Sequence, residues 1–171
     1  MNIKLFITDI DGVWTDGGMY YDQLGNELKK FNTKDSAGVL FLRFLNIPVA
    51  ILTGEITNIV EHRARKLNID YVFQGVSNKL EVASNLCQSL NITLENVAFI
   101  GDDLNDIQLL KKVGLSACPI NSPDCVRNIV DWILPIDGGN GVFRYFVEKY
   151  LDEIGELQNI LNCYFGINKQ S

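Results

Sequence analysis

The sequence predicts an α/β fold: one parallel sheet with helices on both faces and a β-hairpin inserted after the first strand. Three observations carry this. Short apolar runs at Ile3–Thr8, Val49–Leu52, Tyr71–Phe73, Val97–Ile100 and Leu115–Cys118 read as strands buried on both faces. Segments of helical period separate them, and repeated strand, helix, strand defines a parallel sheet. Met19, Tyr20 and Tyr21 and the run Glu27–Phe31 flank a turn-rich stretch, Asp22–Asn26, so residues 18–31 read as the hairpin.

The helices follow in order. Asp35 or Ser36 can cap the first, which runs to about Leu45. In the second, Ile56, Ile59, Val60, Ala64 and Leu67 mark a buried stripe and leave His62 on the surface. Asn78 with Glu81 has the form of a capping box, and Cys87 shares an apolar helix face with Leu80, Ala83 and Leu90. Ser122 and Pro123 supply N-cap and first turn for a further helix. Residues 1–150 are expected to form the main domain. Residues 151–171 form a helical tail in which Ile154, Leu157, Ile160, Leu161 and Tyr164 pack on a subunit and Asn168–Ser171 fray.

Composition removes several function classes. The 171 residues carry 15 Lys and Arg against 21 Asp and Glu, a net charge of −6. That sign disfavours sequence-independent binding to nucleic acid or an anionic membrane. The four cysteines form no Cys-x-x-Cys pair and are expected to be reduced thiols, and no segment has the form of a leader or a membrane span, so a cytoplasmic protein is expected. One histidine leaves no room for His-rich metal sites, and the motifs of P-loop, serine-hydrolase and cysteine-phosphatase chemistry do not occur. Any chemistry rests on carboxylates.

Ligands of an open α/β sheet gather beyond the carboxyl ends of its strands. There the chain places Asp9 and Asp11, then Thr53 and Gly54, then Lys79 at a helix start, then Asp102, Asp103 and Asp106. The two-residue spacing of Asp9 and Asp11 puts both carboxylates on one side of an extended chain, facing Asp102. Such a cluster calls for a hard divalent cation, Mg²⁺ above others. Thr53, adjacent N–H groups and the Lys79 ammonium can hold a phosphoryl group opposite it.

Asp-x-Asp-Gly, Thr-Gly, Lys and Gly-Asp-Asp-x-x-Asp, in this order, resemble the four motifs of the haloacid dehalogenase superfamily. The resemblance implies a Rossmann-like sheet and a phosphomonoester hydrolase in which Asp9 is the nucleophile and Asp11 the general acid and then base. It implies Mg²⁺ held by Asp9, Asp102 and the Asp11 carbonyl, with Asp103 and Asp106 orienting waters or the lysine. Thr53 and Gly54 bind phosphoryl oxygens, and Lys79 neutralises nucleophile and phosphate. The stretches between the motifs are mostly used up by sheet and helix, which leaves no cap domain.

Asp9–Asp16, Phe31–Gly38, Gln74–Lys79 and Gly138–Arg144 further resemble the small capless 3-deoxy-D-manno-octulosonate 8-phosphate phosphatases, which implies a homotetramer whose sites are shaped by neighbouring subunits. That group usually follows Thr-Gly with Arg. Glu55 stands there, and with Lys66 it is similar to relatives acting on nine-carbon sugar acids, the 2-keto-3-deoxynononate (KDN) or N-acylneuraminate 9-phosphates. The expected substrate is therefore a nonulosonate 9-phosphate, with octulosonate 8-phosphate as the alternative. Glu55 and Lys66 also fit ordinary charges at helix ends. Arg144 fits either a substrate-carboxylate contact or a solvated helix position. Lys29, Lys30 and Lys34 read more readily as exposed hairpin lysines that discourage edge pairing than as a lure for an anionic sugar. A phospho-accepting receiver module also uses Asp, Thr and Lys with Mg²⁺, but its acidic pair precedes the accepting Asp, the reverse of the order here.

Overall fold

The computed structural model describes residues 2–166. The six-stranded sheet runs β1 (Leu5–Thr8), β4 (Val49–Leu52), β5 (Tyr71–Phe73), β6 (Val97–Ile100), β7 (Leu115–Pro119) and β8 (Trp132–Leu134), all parallel, in the spatial order β5-β4-β1-β6-β7-β8. The hairpin is β2 (Tyr20–Tyr21) against β3 (Glu27–Leu28), two pairs long, with Tyr20 opposite Leu28. Its turn is fixed by Asp22, whose carboxylate accepts from the Leu24 and Asn26 amides. The five sequence-predicted strands and the hairpin are in place. β8 escaped prediction because three residues ahead of Pro135, with Ile133 46% exposed, carry neither length nor alternation.

One face of the sheet is covered by α1 (Asp35–Phe44), α2 (Asn58–Leu67), α6 (Val142–Glu153) and α7 (Leu157–Tyr164), the other by α3 (Lys79–Ser89), α4 (Ile107–Leu110) and α5 (Asp124–Arg127). The alternation of β1 explains the split: Phe6 meets Phe146 and Tyr150 on the first face, while Leu5 and Ile7 meet the Ala83, Leu86 and Leu109 layer on the second. In α2 the inward stripe is Val60 and Ala64, and Ile59 and Leu67 are half-buried. Ile56 precedes the helix and is 81% exposed, so it is not part of that stripe.

Asn78 caps α3 by accepting from the Glu81 amide, as its spacing predicts. Asp35 does not cap α1. It is the first residue of that helix, and its buried carboxylate reaches across to accept from the Arg144 amide at the start of α6. The residue preceding α5 is Pro123, one position later than expected, within the ordinary uncertainty of helix ends. α6 crosses the expected boundary at residue 150, and Ile160 of α7 is buried in the same core as β1, so the tail packs on its own domain. The expected fraying of Asn168–Ser171 lies outside the described residues. The four cysteines are free thiols, with Cys87 and Cys118 buried. Among the described residues no helix is long and apolar enough to cross a membrane.

Candidate active site

β1 lies at the centre, where the chain first proceeds outward through β4 and β5 and then returns to lay down β6 on the other side. Ligands bind at such a switch point, in the crevice outside the strand ends. The crevice between β1 and β6 receives Asp9 from one strand and Asp102 from the other, joined by a hydrogen bond from the Asp9 amide to the Ile100 carbonyl.

After Asp9 the chain turns sharply. The amides of Val13, Trp14 and Thr15 all donate to the Ile10 carbonyl. Trp14 is fully buried beside Phe143 and donates its indole N–H to the Thr8 hydroxyl, which anchors the turn to β1. Gly12 adopts φ +82°, and a Cβ there would overlap the Asp102 carboxylate. Only glycine lets the turn and that carboxylate approach so closely.

Lys79, 1% exposed at the start of α3, places its ammonium 2.9 Å from Asp9 Oδ2 and 2.6 Å from Asp106 Oδ1. Asp106 is fully buried, and its other oxygen accepts from the Asp102 and Asp103 amides. With both oxygens engaged, Asp106 orients the lysine and the strand-end loop. Asp103 caps the 3₁₀ turn Leu104–Asp106 through the Leu104 amide. Thr53, Gly54 and Glu55 follow β4 and complete a wall. Asp9, Asp11, Thr53, Gly54, Glu55, Asp102, Asp103 and Asn105 together line one open cavity of about 300 Å³.

The carboxylate cluster differs from expectation in one member. Asp9, Asp102 and Asp106 offer oxygens within 4.8 Å of one another, and Asp11 is not among them. The turn that begins at Ile10 ends the extended alternation, so the Asp11 carboxylate leaves the cluster and meets Lys29 Nζ at 2.8 Å and the Thr15 hydroxyl at 3.2 Å. Lys29 is the second correction. Its side chain is 2% exposed, and its ammonium also hydrogen-bonds Glu55 Oε2 at 2.8 Å. It was missed because a lysine in a polar hairpin carries no local sign that the hairpin folds over the site. Lys30 does stay exposed, paired with Asp16.

Burial and the Asp106 charge push the Asp9 carboxyl up to about 7, against the pull of Lys79. Burial, then the charges of Asp9, Asp106 and Asp103, push Asp102 up to about 8. Asp102 Oδ1 is buried without a hydrogen-bond partner. An orphaned oxygen in a cluster of like charge fits a hard cation with oxygen ligands, held by Asp9 and Asp102. Lys66 is exposed on α2, and Arg144 pairs with Glu148 at 2.7 Å beside a separate cavity that Lys34 also lines. The structure brings neither to this pocket.

A family model for haloacid dehalogenase-like hydrolases matches residues 47–146, and the chain belongs to that family. It is an enzyme of the phosphomonoester-hydrolysing kind, without a cap domain. The chain is 41% identical over 156 residues to the 3-deoxy-D-manno-octulosonate 8-phosphate phosphatase KdsC of Salmonella typhi, spanning 91% of this chain and 83% of the relative. The corresponding KdsC of Haemophilus influenzae is 36% identical, over 91% of this chain and 86% of the relative. Among solved structures, the octulosonate 8-phosphate phosphatase of Moraxella catarrhalis, in complex with magnesium ion, phosphate ion and KDO, superposes with a TM-score of 0.92 at 33% identity, over 95% of this chain and 94% of that one. The cobalt-bound Haemophilus influenzae phosphatase gives a TM-score of 0.87 at 36% identity, over 91% of each chain.

Proposed function

We propose that the enzyme hydrolyses the phosphate monoester of a 2-keto-3-deoxy sugar acid through an aspartyl phosphate on Asp9. The observation that carries the reaction is Asp9, held by Lys79 on the wall of an open cavity also lined by Asp11, Thr53 and Asp102. An Asp9 oxygen attacks phosphorus, the bond to the sugar oxygen breaks, and that oxygen takes a proton from Asp11. Asp11 then accepts a proton from water as the water oxygen attacks phosphorus, and the bond to Asp9 breaks to release inorganic phosphate. Lys79 stays charged throughout, and Thr53 and Gly54 fix the phosphoryl oxygens. Asp9, Asp102 and the Asp11 carbonyl would hold Mg²⁺, which would neutralise charge on the transferring group.

For the sugar, octulosonate 8-phosphate is supported by relatives of that activity aligned over nine-tenths of the chain. A nonulosonate 9-phosphate, of KDN or an N-acylneuraminate, is favoured by one observation: Glu55, an acceptor for sugar hydroxyls, lines the cavity directly after Thr53 and Gly54. The test is kcat/KM for the three esters side by side with Mg²⁺. The expected result is a lead of about tenfold or more for the eight-carbon ester, about 1.4 kcal/mol in transition-state binding. A lead for a nine-carbon ester transfers the assignment to the second reading.

An uncapped site is open to water and to any phosphate ester, and the hairpin beside it exposes Tyr20, Tyr21, Leu24 and Leu28. We infer that these residues seat a neighbouring subunit in a homotetramer in the cytoplasm. Lys66 and Arg144 enter this reading only there, as contacts to substrate held by another chain. Sedimentation should show a tetramer as the active species, and a fully active monomer contradicts the shared site.

A further inference from the structure

We propose that Lys29 is a positioning residue for the proton-transfer step, delivered by the hairpin to Asp11 Oδ1 so that Oδ2 is the oxygen that carries the proton. This rests on the reading of Asp11 as general acid and base.

Two donors converge on one oxygen. Lys29 Nζ lies 2.8 Å and Thr15 Oγ1 3.2 Å from Asp11 Oδ1. A proton placed on that oxygen would face an ammonium hydrogen, whereas Oδ2 is free of both donors. The carboxyl therefore has one oxygen for anchoring and one for chemistry. Lys29 is itself held from three sides. It bonds Glu55 Oε2 at 2.8 Å, and Glu27 Oε1 lies 3.2 Å away as an ion pair outside hydrogen-bond geometry. Glu27 is on β3 and Glu55 follows β4, so one ammonium ties the hairpin, the second strand end and Asp11 into one unit. With a side chain 2% exposed, this is no solvated hairpin lysine. The hairpin thereby acts on chemistry as well as on assembly.

The test uses leaving groups. An alkoxide needs a proton as it departs, and 4-nitrophenolate does not, so only the alkyl ester depends on where Asp11 holds its proton. Single-turnover rates of ester cleavage are measured with octulosonate 8-phosphate and 4-nitrophenyl phosphate on the full chain with Mg²⁺. Lys29→Met should slow the alkyl ester by about tenfold or more and the aryl ester by less than about threefold, with KM little changed. Lys29→Arg should recover most of the loss. Equal slowing of both esters means that Lys29 only holds the fold, and no slowing means that it is idle; either overturns the proposal. If Lys29→Met does not fold, Lys29→Gln removes the charge and keeps a polar donor on the stem. A greater loss on the alkyl ester supports the proposal, and an equal loss overturns it. Wild-type protein that cleaves neither of these esters nor a nonulosonate 9-phosphate overturns the functional reading itself, and this is seen before any variant is compared.

Discussion

Asp9→Asn should lower kcat by about a thousandfold or more while the protein remains folded. An amide oxygen is a poor nucleophile, so no acyl phosphate forms. Stability should not fall with activity. Lys79 keeps Asp106 at 2.6 Å when Asp9 becomes neutral, so the substitution strands no ammonium. The replaced carboxyl is also one whose ionisation the fold resists, at about 7. Unchanged or raised Tm in metal-free buffer together with lost turnover identifies a chemical role. Substantial residual turnover would remove Asp9 from that role.

Removal of divalent cations should abolish turnover, and Mg²⁺ should restore it. The electrostatics add a second readout. Asp9 and Asp102 have folded-state values of about 7 and about 8, against about 4 in an unfolded chain. A carboxyl raised on folding keeps a proton that the unfolded chain releases, so the stability these two carboxyls contribute without metal is fully present below about pH 4 and is lost as pH rises towards 8. A cation bound by these carboxylates displaces the retained protons. The rise in Tm on adding Mg²⁺ should therefore be larger at pH 8 than at pH 5, and Asp102→Asn should remove most of that difference. Binding at a hundredfold excess over Kd is worth about 2.7 kcal/mol. Turnover that persists in EDTA, or an Mg²⁺ effect on Tm that shrinks as pH rises, contradicts the site.

The residues that meet at the candidate site were legible because they are local features: polar groups immediately after apolar runs, where a parallel sheet collects its ligands. Asp9, Thr53, Lys79 and Asp102 meet for that reason, and their order separates this chain from a receiver module. What stayed hidden depends on the path of the chain between strands. The Ile10 turn sends the Asp11 carboxylate to Lys29 and leaves Asp106 in its place in the cluster. Lys29 reaches Asp11 across 18 positions and Glu55 across 26, which no local pattern encodes. Ile56 sits in helical register with Val60 and yet lies outside α2, because Thr57 caps the helix one residue later by accepting from the Ile59 amide. β8 is an edge strand too short to announce itself.

The most direct test of the account is to catch the phosphoryl group on the protein. Enzyme mixed with substrate and Mg²⁺, quenched in acid within a single turnover and digested for mass spectrometry, should carry one phosphoryl group on the peptide that contains Asp9. The modification should be absent from Asp9→Asn and without Mg²⁺. A phosphoryl group on another residue, or steady phosphate release with no trapped intermediate at any quench time, contradicts phosphoryl transfer through Asp9.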